Sequence, residues 1–240
     1  DLAGRQVRLR LITAPGPDND VSFDWACWGE PRIRLRNPHG ERSIELASPK
    51  TPRHALSPMG PLVPERITDG RQPNRYRIRT TFPAELAVCW DEPEPVSLPV
   101  ALSDLTPSVS ATIGDAAATL PMRHVGFGPG EGTSAGDRRR GFSAHPPNNG
   151  RVYADFFVKI PQSVRPKLTF AVALQEGSQS EACQFLVDVN GRTLFDHVVS
   201  GPDGWHPGGI DLSPFAGHPV LISLVVDSRG PYNYDWARWA

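Results

Sequence analysis

Hydrophobic and polar side chains alternate along much of this chain with a period of two residues. Residues 5–13, RQVRLRLIT, alternate as a strand with one buried face does. The segment 14–20, APGPDND, is rich in turn-forming residues, and a second strand is predicted over 21–29, VSFDWACWG. The segments RYRIRTTF (75–82) and ELAVCW (85–90) are predicted to pair as a short hairpin or to join a neighbouring sheet. The pattern therefore predicts strands in the first part of the chain.

From about residue 98 the strand signals become regular. Short apolar segments recur about every ten residues, with Gly, Pro and Asn between them, as in sandwiches and jelly rolls. The predicted strands are VSLPVAL (96–102), RVYADFFVKI (151–160), KLTFAVAL (167–174), CQFLVDVN (183–190), RTLFDHVV (192–199), GWHPGGIDL (204–212), PVLISLVVD (219–227) and YDWARWA (234–240). The dipeptide Asn190-Gly191 favours a type I′ hairpin turn. The chain is therefore predicted to be all-β, with an antiparallel β-sandwich of the jelly-roll type over residues 98–240.

Two segments do not fit the strand pattern. Residues 35–97 are rich in Pro, Ser and charge, and they are predicted to be an extended connector that carries the short hairpin. Residues 126–141, GFGPGEGTSAGDRRRG, are predicted to be a glycine-rich surface loop. A phosphate-binding loop is not favoured there, because no helical pattern follows and no Lys-Ser/Thr pair closes the motif.

The phrase Asp-Trp-Ala-x-Trp occurs near both ends of a chain that has six tryptophans. Its residues are Asp24, Trp25, Trp28, Asp235, Trp236 and Trp239. Strand alternation places the two tryptophans of each copy on opposite faces, so one is predicted to lie in the core. The other is predicted either to contact a neighbouring unit or to stack on a sugar. Residues 1–34 are accordingly interpreted as the closing strands of a preceding repeat unit.

Charge and composition exclude several classes of function. The 25 basic and 26 acidic residues are balanced, so the positive field that collects a polynucleotide is missing. The longest apolar runs, such as PVLISLVV (219–226), are far shorter than the roughly 20 residues of a membrane-spanning helix. The segment from Asp1 is not expected to be a signal peptide. The 26 prolines and 22 glycines favour turns and short strands over helices.

The three cysteines match neither a metal-binding spacing nor a CxxC redox pair. They are Cys27, Cys89 and Cys183, and an odd number cannot be fully paired within one chain. Three buried thiols are predicted, and if a bridge forms, Cys27 with Cys89 is the favoured pair.

Catalytic signatures are not evident, and the chain is not predicted to be an enzyme. The sequence has no GxSxG, HExxH or cysteine-histidine signature. The segment GFSAHPPNNG (141–150) is more specific: His145, Asn148 and Asn149 either face a ligand hydroxyl, or His145 holds the loop through a backbone hydrogen bond. Trp205 lies in the loop-like segment GPDGWHPGG and is the candidate for an exposed sugar platform.

Residues 98–240 resemble the NPCBM-like galactose-binding jelly rolls, which are carbohydrate-binding modules of bacterial glycoside hydrolases and cell-surface proteins. The phrases that carry the resemblance are GFSAHPPNNGR, FLVDVNGRTLF, GWHPGGIDLSPFAGHPVLISLVVDS and YDWARW. Residues 1–34 resemble the last third of another copy. The resemblance implies a secreted or cell-envelope protein that binds carbohydrate, with galactose-containing sugars as candidates, and it allows a structural calcium ion for which no ligand cluster is identifiable.

The predicted function is therefore a non-catalytic carbohydrate-binding module. The predicted ligand-binding residues are Trp205, His145, Asn148, Asn149, Asp203 and His206. The alternative is a structural repeat that assembles with neighbouring units or with itself through residues 1–34. No nucleic-acid partner is expected in either case.

Overall fold

A computed structural model describes most of the chain and divides it into two compact units. The described residues are 10–12, 42–58, 60–68, 74–80, 86–114, 116–118, 120–162, 165–230 and 235–240. The N-terminal unit comprises Asp1–Glu94 with Asn190–Arg192, and the C-terminal unit comprises Pro95–Val189 with Thr193–Ala240. Within the described ranges, helices are limited to two short 3-10 turns, so none reaches the length and apolarity needed to span a bilayer.

The N-terminal unit contains two small sheets. Its strands are β1 (Arg10–Ile12), β2 (Arg42–Ala47), β3 (His54–Ser57), β4 (Gly60–Leu62), β5 (Pro64–Arg66), β6 (Arg75–Thr80) and β7 (Ala87–Cys89), and β8 (Glu94–Pro95) lies at the boundary of the units. One sheet has the order β1-β7-β3-β4, with β1 parallel to β7, and the other has the order β2-β6-β5. Their buried apolar residues are Ile44, Leu46, Ala55, Tyr76, Ile78, Leu86, Val88 and Trp90.

The prediction that residues 35–97 form an extended connector is therefore wrong for the described part of that segment. The alternating pattern of these strands was not recognised in the sequence because charged side chains occupy positions in them. In the structure these side chains form ion pairs across the sheet. Glu45 of β2 is 5% exposed and accepts hydrogen bonds from Arg75 at 2.7 Å and Arg77 at 3.0 Å, both on β6. The segments 75–82 and 85–90 also do not pair with each other, since β6 and β7 belong to different sheets.

The C-terminal unit is an antiparallel β-sandwich, which confirms the predicted fold class. Its strands are β9 (Ser108–Ile113), β10 (Ala116–Ala118), β11 (Gly126–Ser134), β12 (Asp137–His145), β13 (Gly150–Lys159), β14 (Lys167–Leu174), β15 (Cys183–Val189), β16 (Arg192–Val199), β17 (His206–Asp211), β18 (Pro219–Asp227) and β19 (Ala237–Trp239). One sheet runs β10-β9-β13-β18-β15-β16 and the facing sheet runs β11-β12-β19-β14-β17. The predicted strand over 96–102 is not formed, and β9 was not predicted. At the β15–β16 turn Asn190 and Gly191 have φ of 51° and 90°, as the type I′ prediction requires.

The second Asp-Trp-Ala-x-Trp motif lies at the centre of this sandwich. Trp239 is 2% exposed, and its ring centroid lies 5.5 Å from that of Phe170 and 5.4 Å from that of Phe185 on the facing sheet. Asp235 is also buried, whereas Trp236 points the other way and is half-buried. The predicted alternation is confirmed for this copy; Asp24, Trp25 and Trp28 of the first copy lie outside the described residues.

The cysteines of the described ranges are buried. Cys89 lies on β7 and Cys183 begins β15, and Cys27 lies outside the described residues, so the Cys27–Cys89 bridge stays a prediction. Burial, with the nearby charge of Asp235, raises the pKa of the Cys183 thiol to about 12. The Cys183 thiol therefore stays protonated and is a poor nucleophile.

The glycine-rich segment 126–141 is not a loop, contrary to the sequence prediction. It forms the β11–β12 hairpin, whose strands pair continuously from Gly126 with His145 to Ser134 with Asp137. The glycines at 126, 128, 130 and 132 recur every second residue and therefore share one face of β11. A period of two residues is typical of a strand. It was not recognised in the sequence because glycine has neither a hydrophobic nor a polar side chain.

The far half of this hairpin, residues 130–141, crosses the outer face of its own sheet, and we call it the strap. Thr133 O accepts a hydrogen bond from Glu176 N at 2.8 Å, and Gly204 N donates to Ser134 Oγ at 3.1 Å. Glu176 follows β14 and Gly204 precedes β17, which are two and three strands away from β12 in the sheet. The strap tip therefore lies across β19 and β14.

We expect Gly141→Ala to destabilise the C-terminal unit. A Cβ at Gly141 would overlap the Trp239 carbonyl oxygen, which belongs to the paired strand β19 and cannot move as a side chain can. Overpacking of this kind costs about 1–3 kcal/mol. Thermal unfolding followed by calorimetry should show a lower Tm. Gly126→Ala is the matched control, because a Cβ at Gly126 meets open space; equal Tm values for the two variants would contradict the account.

Candidate functional site

A pocket of about 330 Å³ opens on the outer face of the five-stranded sheet, and we call it the outer-face pocket. It lies where β11 begins and β12 ends, beside β19. The described residues that line it are His124, Val125, Gly126, Phe127, Gly128, Pro129, Ser143, Ala144, His145, Trp236 and Arg238. Its volume is at the lower end of the roughly 300–1,000 Å³ that is typical of small-molecule sites.

Strand alternation and register place the polar side chains in this pocket. Phe142 and Ala144 of β12 face the core, so Ser143 and His145 face outward. Ser143 pairs with Gly128 on one side and with Arg238 on the other, which brings all three to one level of the sheet. Because Gly128 has no side chain and a Cβ there would meet open space, β11 leaves the pocket open at this point.

Trp236 supplies the aromatic wall of the pocket. It immediately precedes β19 and lies on the outward face of that strand with Arg238, two residues further on. Its carbonyl oxygen accepts a hydrogen bond from Gln175 N at 2.9 Å, and its ring lies close to Gly177, where a Cβ would come within 3.3 Å of it. The segment that follows β14 therefore holds the Trp236 carbonyl and lies against its ring.

Arg238 supplies a half-buried cation. Its Nε donates to Gln175 Oε1 at 2.6 Å and its Nη1 donates to the Ala237 carbonyl at 3.3 Å. Its aliphatic stem lies against Gly132 of the strap, where any Cβ would collide with it. Burial lowers the pKa of Arg238 from the usual 12.5 of arginine, but the side chain remains charged at physiological pH.

His145 lines the outer-face pocket and also holds its own loop, and its contact with a ligand hydroxyl stays a prediction. Its Nδ1 donates to the Pro146 carbonyl at 3.3 Å, while the ring lines the pocket. Burial lowers the pKa of His145, and its hydrogen bond with the Pro146 carbonyl offsets part of this effect. A neutral ring with Nδ1 protonated has Nε2 as a hydrogen-bond acceptor.

Asn148 and Asn149 lie in the turn that follows, outside the described lining of the pocket. Both are exposed, and Asn149 has a φ of 51°. Gly150 N donates to the Pro147 carbonyl at 3.1 Å and Asn149 N donates to Gly230 O at 2.9 Å. The predicted turn into the next strand is confirmed, and the backbone of Asn149 contributes to it; ligand binding by the two amides stays a prediction.

Trp205, Asp203 and His206 form a separate group beside β17. Trp205 is half-buried; its Nε1 donates to the Asp137 carbonyl of the strap at 2.9 Å, and the Arg139 guanidinium lies 5.1 Å from its ring centroid. His206 Nε2 donates to Asp203 Oδ1 at 2.9 Å, and this hydrogen bond lowers the pKa of Asp203. Trp205 thus has contacts that fix the tip of the strap.

The structure does not bring the six predicted ligand-binding residues together. β17 is three strands away from β12 in the sheet, a lateral separation of about 14 Å at the usual spacing of strands. His145 lines the outer-face pocket, whereas Trp205 and His206 lie at the opposite edge of the same sheet, beside β17. Arg238 was not predicted as a site residue, although its place two residues after Trp236 in a strand was a usable signal.

A metal-binding cluster is not evident in the described part of the chain. The described residues contain no group of three or more His, Cys, Asp or Glu side chains placed to hold a metal ion. A structural calcium therefore remains a prediction from the family resemblance alone.

Comparison with known proteins finds only distant or partial likenesses. No family model matches the chain. A 31-residue segment, 13% of this chain, is 61% identical to part of an uncharacterized protein of Archaeoglobus fulgidus and spans 8% of that protein's length. Such a short match does not assign the chain to a family.

Three solved structures are similar to this chain at low identity and low TM-score. The M60 catalytic domain with the CBM51-1 and CBM51-2 domains from Clostridium perfringens ZmpB is 15% identical with a TM-score of 0.41, covering 86% of this chain and 19% of that one. Carbohydrate-binding modules of the β-sandwich superfamily are 11% identical with a TM-score of 0.33, covering 82% and 74%. Arthrobacter globiformis T6 isomalto-dextranase complexed with panose is 14% identical with a TM-score of 0.23, covering 84% and 34%. At these values the likenesses assign no function to this chain.

Proposed function

We propose that the C-terminal unit is a non-catalytic carbohydrate-binding module and that its ligand binds in the outer-face pocket. The observation that carries the proposal is the position of Trp236 beside His145 and Arg238 on the outward face of one sheet. An indole stacks on the apolar face of a sugar ring, and nearby polar groups then select its hydroxyls. A pocket with one aromatic wall and a few convergent polar groups supports this mode of binding.

The sandwich separates the roles of its two C-terminal tryptophans. Trp239 stabilises the core, whereas Trp236 lies on the opposite face of the same strand segment, against the pocket. Because the β14, β19 and β12 backbones are hydrogen-bonded around it, the pocket is preformed and pays little ordering entropy on binding. We place the module in a secreted or cell-surface bacterial protein, where several weak sites gain affinity by multivalency.

We expect Trp236→Ala to weaken carbohydrate binding about tenfold or more, because the stacking surface is lost. Glycan-array screening that includes galactose-containing sugars, followed by calorimetry with each sugar found, is the measurement. Trp205→Ala is the matched control, since Trp205 precedes β17, which is two strands away from β19, a lateral separation of about 10 Å. Loss of binding in Trp205→Ala alone would move the site to the β17 group.

The alternative function, a structural repeat that assembles with neighbouring units, has one observation in its favour. The repeated motif contributes Trp239 to packing, as a motif that serves architecture would. Residues 1–34, through which assembly was predicted, are described only at Arg10–Ile12, which pair with Ala87–Cys89 of the same chain. A chain that binds no glycan and elutes as an oligomer would favour this alternative over sugar binding.

A further inference from the structure

The outer-face pocket is unbalanced in charge. Its described lining includes the guanidinium of Arg238 and contains no acidic side chain. The arginines of the strap are different: Arg138 and Arg140 pair with Glu131, and Arg139 pairs with Asp137. Among the described residues no carboxylate pairs with Arg238, whose acceptors are the Gln175 amide oxygen and a backbone carbonyl. The pocket therefore holds a cation with only neutral partners.

Partial burial of the Arg238 guanidinium has a desolvation cost that its neutral partners offset only in part. Arg238 is half-buried under the strap, and a desolvated guanidinium is stabilised most by an anion that accepts two of its N–H groups in one plane. Its Nε and Nη1 are already used, so further N–H groups of the fork remain to meet a ligand. Arginine is suited to this geometry because its donors are fixed in a plane.

The hydrogen-bonding character of the pocket points in the same direction. Sugar hydroxyls donate as well as accept, and carboxylate or amide side chains are strong acceptors for them. The described lining has neither, and its side-chain acceptors are limited to the Ser143 hydroxyl and the histidine nitrogens. A pocket with one guanidinium and no acidic side chain is complementary to a ligand that carries an anionic acceptor group.

We propose that the sugar bound in the outer-face pocket is anionic, with its ring on Trp236 and its carboxylate or sulfate group on Arg238. The inference rests on the proposed carbohydrate-binding function and narrows the class of ligand. Trp236 and Arg238 are two residues apart on one face, about 7 Å along the strand, so a single sugar unit can contact both side chains.

Calorimetry of the full chain with matched sugars tests this proposal. The panel is galactose, galacturonic acid and galactose 6-sulfate, together with lactose and sialyllactose. We expect the acidic member of each set to bind at least tenfold more tightly than its neutral parent. The comparison of galacturonic acid with galactose 6-sulfate then identifies the preferred anionic group. Equal or tighter binding of the neutral sugars would overturn the inference and leave the proposed function standing. No binding of any sugar would overturn both.

Variants of Arg238 supply the second test. Arg238→Gln should weaken binding of the acidic sugar roughly 10- to 100-fold, as expected for a charge-assisted hydrogen bond, and should weaken binding of the neutral sugar by a much smaller factor. Arg238→Lys keeps the charge without the planar fork and should bind with intermediate affinity, which also covers the case that Arg238→Gln folds poorly. Arg140→Gln is the control, since the side chain of Arg140 is 90% exposed on the strap. Equal losses of affinity for the acidic sugar in Arg238→Gln and Arg140→Gln would overturn the proposal. They would show that the affinity depends on the net charge of the protein and not on a contact with Arg238.

Discussion

Trp239→Ala is expected to unfold the C-terminal unit or to lower its Tm by about 6–20 °C. Trp239 is the largest fully buried side chain of the described residues and packs against Phe170 and Phe185. Removal of a buried tryptophan side chain costs about 3–5 kcal/mol, because burial is lost and a cavity remains. In a chain of this size each kcal/mol lowers Tm by roughly 2–4 °C. The loss is a large fraction of the stability of a typical domain.

Two further variants make this prediction specific. Trp236→Ala removes the same side chain from the opposite face of the same motif and should lower Tm much less, since Trp236 is half-buried. Trp239→Phe keeps an aromatic ring in the core and removes an N–H that has no acceptor among the described residues, so it should retain most of the stability. Calorimetry is the appropriate measurement, because loss of an indole changes the fluorescence signal itself. Equal shifts for Trp239→Ala and Trp236→Ala would contradict the assigned roles.

The strands of the sandwich were predictable because their chemistry is local. From β13 to β19 each strand alternates or is continuously apolar, and the Asn190-Gly191 turn needs only its own two residues. The faces of Trp236 and Trp239 follow from the period of two alone. These features require no knowledge of which strands are neighbours.

The remaining features depend on contacts between residues distant in sequence. Glu45 is buried only because Arg75 and Arg77 lie opposite it, so the strand it belongs to appears too polar in sequence. The course of the strap depends on partners such as Glu176 and Gly204, far from it along the chain. For the same reason the sequence grouped His145 with Trp205, which the order of the strands separates.

Asp235→Asn should change the pH dependence of the stability of the sandwich. Asp235 is 0% exposed, and neither of its carboxylate oxygens has a well-formed hydrogen bond among the described residues. Burial raises the pKa of Asp235 to about 6 from an ordinary value of 3.8, and the nearby Ser180 hydroxyl offsets only part of this rise. The buried carboxyl group is therefore held in its neutral form in the folded protein at mildly acidic pH.

The sign follows from proton binding. Between about pH 4 and pH 6 the folded state holds a proton at Asp235 that the unfolded state has released, so the free energy of unfolding falls as the pH rises through this window. A difference of about two pKa units corresponds to about 3 kcal/mol, all of it lost above pH 6. The contribution of Asp235 to the free energy of unfolding of the wild-type sandwich should accordingly be larger at pH 4.5 than at pH 8.

The Asp235→Asn variant isolates this contribution, because asparagine does not titrate. The pH-dependent contributions of all other groups are the same in the variant and in the wild type, so they cancel in the difference. We expect the free energy of unfolding of Asp235→Asn relative to wild type to rise by about 2–3 kcal/mol between pH 4.5 and pH 8, whatever the packing cost of the amide. Asp211→Asn is the control: Asp211 is exposed, and its hydrogen bonds with Ser213 lower its pKa, so it is ionised in both states above pH 5 and should show a nearly constant difference there. Denaturant unfolding at several pH values provides the measurement. A constant difference for Asp235→Asn as well would show that the buried carboxyl group is stabilised as an anion by partners outside the described residues.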